Sequence, residues 1–364
     1  MRNKERKDIM KKFLCLLITI ALMISFASCM PQSEKPGVTT PAETTPGSPD
    51  SGATPVDPDL EIKVTVLSGT TGMGMAKLIS EKKNGTAALN YNFSVISDAT
   101  QVAPAIISGT TDIAAVPTNL AATLYNKTKG QIKVLCANTR GVLYLVSSDP
   151  AVKSVSDLKG KTVHVPGQGT NPEFILKHII ESNGMTVGTD VVFDYTYNSP
   201  DALMGAAAAT DKVTIALLPE PKVSIACDKN KNFKAVVNIT EEWNKINEGA
   251  PLYQGCIIVR KAFLESNPNE VKEFLRRYEL SINEVNSDPD SAAKAIAELG
   301  IIAENDDMSY NEYIARLTIP RCNLCYVEGA ELEGALTKLY EILYNITPSS
   351  VGGAVPDSEI YYKK

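Results

Sequence analysis

The chain has 364 residues, with 42 acidic against 36 basic side chains and a formal net charge of −6. That balance excludes nucleic acid as a partner and argues against a polybasic membrane patch. Only two histidines are present, so a structural zinc site is poorly supported, and no metal or cofactor is expected.

In chain order, the first signal is a leader. Arg2, Lys4, Arg6, Lys7, Lys11 and Lys12 face only Glu5 and Asp8, and Phe13 to Ile24 carries no charge. The apolar run suits a signal-peptide core and falls short of the roughly 20 residues that span a bilayer. Ser25-Phe26-Ala27-Ser28-Cys29 follows. Small residues before a cysteine resemble a bacterial lipobox, with Phe26 where such motifs more often have Leu. The resemblance implies that residues 1–28 are removed and that Cys29 is acylated. The mature chain is then extracytoplasmic and held to the cell membrane by lipid. Loss of six basic and two acidic groups takes the net charge from −6 to −10.

Residues 29–60 read as the lipidated cysteine and an extended tether. Prolines 31, 36, 41, 46, 49, 55 and 58 and many Thr and Ser stand there without an aromatic residue. Such a segment buries too little apolar area to offset its ordering entropy. Five cysteines remain after Cys29 (136, 227, 256, 322 and 325). An odd, scattered set is no disulfide framework. Cys322 and Cys325 have CxxC spacing, which leaves free thiols, a local disulfide or a metal open.

From Glu61 onward, short apolar runs alternate with amphipathic stretches, the pattern of βα units. Strands are expected at 62–67, 91–97, 112–116, 132–137 and 142–147, with helices over 75–82, from the turn at 98–100 to Ile107, and over 120–125. A second set of strands is expected at 161–165, 191–195 and 213–218. Asn171 suits an N-cap, Pro172 the first helical position and Glu173 the positive dipole end, with Gly184 closing that helix. Ser199-Pro200-Asp201 starts another helix, ending at Ala209. After a strand at 256–259 the chain reads as mostly helical, over 268–285, 291–299, 309–317 and 328–345. No internal repeat is evident.

Four strand ends are candidate ligand contacts, because open α/β sheets bind small molecules beyond the C-terminal tips of their strands. Ser68, Gly69, Thr70 and Thr71 offer hydroxyls and backbone N–H groups near a helix start. Thr118 and Asn119 follow the third strand, and Thr118 could equally cap its own helix. Gly167, Gln168, Gly169, Thr170 and Asn171 combine glycines, amides and a hydroxyl. Glu220, between Pro219 and Pro221, could receive an amine, a hydroxyl or a ring N–H. Enzyme motifs are missing: the two GxG stretches reach Lys77 and Pro172 where a dinucleotide fingerprint needs Gly or Ala, and there is no P-loop, HExxH or GxSxG. No catalytic residue is expected, and His164 and His178 read as packed or structural.

The stretches Ile62–Gly72, Ile106-Ile107-Ser108-Gly109-Thr110-Thr111-Asp112-Ile113-Ala114, Gly141–Ser147, Asp157-Leu158-Lys159-Gly160-Lys161-Thr162-Val163 and Ala216–Pro221 together resemble the NMT1/THI5-like substrate-binding proteins of ABC importers for nitrate, sulfonates and thiamine-type pyrimidines. The resemblance implies an α/β, two-lobed periplasmic-binding-protein type II fold with two crossing strands and a mostly helical C-terminal part. One lobe would hold 61–145 and 255–364, the other 146–254, with crossings near 142–147 and 255–260. It implies a monomer that captures a small molecule by closing its lobes and delivers it to a permease and ATPase complex. A ligand-sensing lipoprotein without transport, or a THI5-like pyrimidine-forming enzyme, are the alternative roles.

Overall fold

The computed structural model describes residues 55–97, 101–209, 211–248 and 250–363. The leader, Cys29, most of the tether and the expected turn at 98–100 lie outside the described residues.

The chain enters through β1 (Glu61–Leu67), α1 (Thr70–Met73), α2 (Ala76–Lys83), β2 (Asn90–Ile96), α3 (Val102–Ser108), β3 (Ile113–Pro117), α4 (Thr118–Lys127) and β4 (Ile132–Arg140). It continues as β5 (Leu143–Ser147), β6 (Lys161–His164), α5 (Asn171–Ser182), β7 (Val191–Asp194), α6 (Pro200–Ala209), β8 (Ile215–Pro219), α7 (Lys222–Lys229), β9 (Lys234–Asn238) and α8 (Ile239–Ile246). The last third is β10 (Tyr253–Arg260), α9 (Lys261–Ser266), α10 (Pro268–Ser287), α11 (Pro289–Glu298), α12 (Met308–Thr318), β11 (Leu324–Val327) and α13 (Gly329–Ile346).

These strands make two sheets, ordered β11-β4-β10-β3-β1-β2 and β7-β6-β8-β5-β9. In the first, β2, β1 and β3 are parallel, and β10 runs antiparallel between β3 and β4. In the second, β7, β6 and β8 are parallel, and β5 runs antiparallel beside both β8 and β9. The two arrangements are the same: β1, β2, β3 and β4 correspond to β6, β7, β8 and β9. In each sheet the antiparallel strand is the one that borders the crossing to the other sheet. The repeat is topological, and no repeated sequence reveals it.

Alternate residues of each strand point to opposite faces, and apolar clusters cover both. Val64, Ile113 and Ile257 share one cluster with Val146, Ala216 and Leu218 of the second sheet. Ala114, Val116 and Ile258 share the other with Leu145, Val163 and Leu217. The sheets therefore meet through continuous packing on either side of the crossings. Helix α10 covers one face, where Tyr278 stacks on Phe274 (5.7 Å, 8°) and receives a 2.9 Å hydrogen bond from Asn138 Nδ2.

The chain leaves the first sheet at Gly141-Val142. A Cβ on Gly141 would stand 2.0 Å from Thr240 Oγ1 and 3.0 Å from Leu252 Cδ2, so no larger residue fits without displacement. Val142 N donates to Gln254 Oε1 (2.6 Å) on the returning strand, and Val142 O accepts from Glu220 N (2.9 Å). Both crossings and the tip of β8 are thereby tied at one point.

Several boundaries differ from expectation. Thr170 is the N-cap of α5, and Asn171 already belongs to the helix. The shift frees the Asn171 side chain from a capping role. Strands β9 and β11 and helices α7 and α8 were not anticipated, because each is short and flanked by polar residues.

Overpacking a core position costs about 1–3 kcal/mol. Gly141→Ala should therefore lower the melting temperature, and Thr240→Ala in the same chain should restore part of the loss. Thr240 Oγ1 is itself buried without a partner, so removing it costs little. Thermal denaturation of the two single variants and the double variant measures this.

Candidate binding cleft

Two adjoining cavities lie where the strand tips of the sheets face one another. The smaller, about 520 Å³, is lined by Thr70, Thr71, Pro117, Asn119, Leu120, Thr139, Val142, Leu143, Gly169, Thr170, Asn171, Pro172, Pro219, Gln254 and Gly255. The larger, about 690 Å³, is lined by Ser68, Gly69, Thr70, Val95 to Ser97, Pro200, Asp201, Pro219 to Lys222 and Gly300 to Glu304. Thr70 and Pro219 belong to both walls, so the cavities are contiguous. Either is of a size that holds a metabolite.

The topological repeat explains the shape. The tips of β1 and β6, and of β3 and β8, are equivalent, and each pair contributes one segment from either sheet. Pro117, the last residue of β3, and Pro219, the last of β8, both line the smaller cavity.

At the tip of β1, Gly69 takes φ +88°, and its N–H is spent on Ile301 O (2.8 Å). The first amides of the helical turn at Thr70 and Thr71 have no partner within that turn. Thr71 O accepts from Asn138 Nδ2 at 3.0 Å, which ties the turn to β4. At the tip of β6, Gly167 takes φ +75°, and Thr170 Oγ1 donates to Gly167 O (2.7 Å). Gly169 N donates to Glu173, whose other oxygen accepts from Tyr195 OH (2.6 Å). The loop is built to a fixed shape, and Asn171 Oδ1 is left buried with no partner among the described residues. Buried polar atoms are normally satisfied, so this oxygen marks a place for a donor from outside the chain.

Glu220 is 2% exposed. Its oxygens accept from Ser224 N and Ser224 Oγ, each at 3.1 Å, and Arg321 Nη1 stands 3.5 Å away. Burial pushes its carboxyl above the usual glutamate range, against the pull of Ser224 and Arg321. Beside it, Lys222 Nζ bonds Asp201 (2.6 Å) and both oxygens of Glu304 (2.9 Å). Burial alone would lower the Lys222 pKa, but the two carboxylates outweigh it and hold the group above 10.5.

Of the candidates read from the sequence, Ser68, Gly69, Thr70, Thr71, Asn119, Gly169, Thr170, Asn171 and Glu220 line this cleft. Thr118, Gly167 and Gln168 do not. Thr118 is fully buried and donates to Tyr253 O (2.9 Å), pinning α4 to β10. Gly167 serves the turn: a Cβ there would meet Thr170 Cγ2 at 2.9 Å. Gln168 is exposed. Sequence reasoning missed Gln254, Thr139, Lys222 and Glu304. Gln254-Gly255 at a strand start was a usable signal, whereas Lys222 and Glu304 carry none.

Neither histidine lines the cleft. His178 lies on Trp243 (5.3 Å) and 3.2 Å from Asn247 Oδ1, and His164 Nδ1 is 3.6 Å from Asp194. Cys322 and Cys325 are free thiols, as are Cys136, Cys227 and Cys256. Burial pushes the Cys322 thiol well up.

The profile of a family described as NMT1/THI5 like matches residues 95–292. A search of curated proteins finds no match. Among solved structures, an ABC transporter protein from Parabacteroides distasonis superposes with TM-score 0.68 at 23% identity, covering 84% of this chain and 100% of that one. The periplasmic aliphatic sulphonate binding protein SsuA from Escherichia coli gives 0.64 at 14% identity, over 83% and 92%. The alkanesulfonate-binding protein SsuA from Xanthomonas axonopodis pv. citri, bound to MOPS, gives 0.58 at 14%, over 84% and 96%. The fold is that of these periplasmic binding proteins.

Lys222→Met should destabilise the chain by on the order of 1–2 kcal/mol, since it strands the Glu304 carboxylate in a half-buried place. A lysine whose pKa is raised on folding contributes fully at neutral pH and loses its contribution as pH rises past that value. The gap between wild type and variant in urea denaturation should therefore be flat through neutral pH and narrow only above pH 10.5.

Proposed function

The chain belongs to the NMT1/THI5-like family, and from that premise we propose that it is an extracytoplasmic solute-binding protein that delivers a small molecule to an ABC importer. The first sheet with its helices forms one lobe and the second sheet with its helices the other. They are joined by Gly141-Val142 and by the segment 247–252. The ligand sits in the cleft, touching Thr70, Thr71 and Asn119 from one lobe and Thr170 and Asn171 from the other. Those contacts are complete only when the lobes are closed, so binding shifts the population towards the closed form, which a permease and ATPase complex recognises. Acylation at Cys29 and the tether after it would hold a monomeric chain at the membrane while leaving the lobes free to move.

The observation that carries this reading is the cavity walled from both sheets, with the unpartnered Asn171 oxygen in its lining. No bond is made or broken in this role. The placement of His164 and His178 away from the cleft supports binding over a pyrimidine-forming reaction that would use histidine.

A thermal-shift screen of the full chain against a metabolite library tests the proposal. A molecule that binds only the native state adds about 2.7 kcal/mol at a hundredfold excess over its Kd, and at least one compound should raise Tm in this way. Asn171→Ala should weaken that compound by about tenfold or more without lowering the Tm of the free protein. Absence of any shift across the library would remove the binding role.

A further inference from the structure

The sign of the charge on the ligand can be read from the walls of the cleft, given the binding role proposed above. We infer that the ligand is a neutral or cationic molecule that presents N–H or O–H donors, and that sulfonate, nitrate and other anions are rejected. Three separate features of the cleft carry this.

Among the described residues, the smaller cavity has no charged residue in its wall. Leu120, Leu143 and Pro172 make it apolar on several sides, and the polar groups are hydroxyls and amides. It suits the uncharged body of a guest, because an ion moved there would give up water without gaining a counter-charge. The second feature is Asn171 Oδ1, an acceptor enclosed without a partner. A donor on the guest satisfies it, whereas the oxygens of a sulfonate or nitrate would face it lone pair to lone pair.

The third feature is the larger cavity next door. Among the described residues, Asp201, Glu220 and Glu304 line it with Lys222 as the one cation. Lys222 is already committed, at 2.6 Å to Asp201 and 2.9 Å to Glu304. Arg321 approaches Glu220 at 3.5 Å but lines neither cavity. Among the described residues, an anion entering here meets an excess of carboxylate and no free cation. An amine or amidine meets Asp201 and Glu304, two carboxylates that share one ammonium, while the Glu220 carboxylate stays enclosed by Ser224 and Arg321. The whole chain, at −6, adds to the same bias.

Benzamidine, benzamide and benzenesulfonate have one ring and differ in the charge of the head group, so they isolate the claim. Ligand-observed NMR titration of the full chain with each should show the cation and the amide binding, with the sulfonate weaker by about tenfold or more. Asn171→Asp keeps the shape but can only accept at neutral pH. It should hold or tighten benzamidine, and a loss of benzamidine binding would mean that residue 171 meets an acceptor instead. Benzenesulfonate binding as well as benzamidine, or none of the three binding, overturns the inference. The metabolite screen is read independently. Anionic hits there would sink the charge assignment while leaving the binding role standing, and neutral or cationic hits would support both.

Discussion

The architecture depends on a single steric constraint at Gly141. There the first sheet hands the chain to the second with Thr240 and Leu252 so close that a Cβ has no room. The following residue, Val142, bonds Gln254 and Glu220, which fixes the tip of β8 and the returning strand to the same spot. The crossing sits at the floor of the cleft: Val142, Leu143 and Gln254 are all part of its wall. The joint that would bend and the surface that would hold the ligand are thus made of the same residues. A guest resting on that floor acts directly on the backbone about which the lobes would turn.

Two copies of one topology facing each other explain why the strand tips that wall the cleft arrive in pairs. Parallel strands with a right-handed twist end at one edge of their sheet, and the loops after them gather there. When two such edges confront one another, each supplies a glycine-bearing loop (Ser68–Thr71, and Pro166–Thr170) and a proline-ended strand (Pro117, Pro219). The two sides are not chemically equal. The β3 tip continues into Thr118 and Asn119, which are neutral, whereas the β8 tip continues into Glu220 and Lys222. Charge therefore enters the cleft at one end, from Glu220 and Lys222 after β8 and from Glu304 between α11 and α12, which divides an uncharged cavity from an acidic one.

The strands other than β9 and β11 and most helix starts were legible because they depend on local rules: apolar periodicity, Pro and Asp at first turns, glycine after last turns. Two of the four strand tips were legible for the same reason, since a glycine-rich loop between a strand and a helix is a local pattern. What escaped depends on contacts far apart in sequence. Lys222 matters only because Glu304 arrives from 82 residues away, and Gln254 only because Val142 needs an acceptor across 112 residues. Thr118 is spent inside the fold for a similar reason. Its hydroxyl looks available in sequence, but β10 folds back beside it and takes the bond. The α5 boundary shows how much one residue matters. With Asn171 as the cap, its oxygen would bond the helix; with Thr170 in that place, the oxygen is left for the cleft.

The polar ties across the cleft set a limit on how strongly it can be shut without a guest. Lys222 and Glu304 are both largely buried, but the Asp201 carboxylate that shares the ammonium is 72% exposed, and a solvated pair of that kind contributes little, typically about 0–1 kcal/mol. Tyr313 to Asp228, at 3.2 Å, is likewise exposed. Arg321 to Glu220 is longer, and its guanidinium is 47% exposed. If the lobes open as proposed, weak rim contacts of this kind would do little to hold them shut, and a ligand would need only modest differential affinity to shift the population. The unmatched oxygen of Asn171 pushes the same way. In the empty closed form it is a buried acceptor without a donor, a cost that opening to water relieves and that a ligand with a well-placed N–H removes.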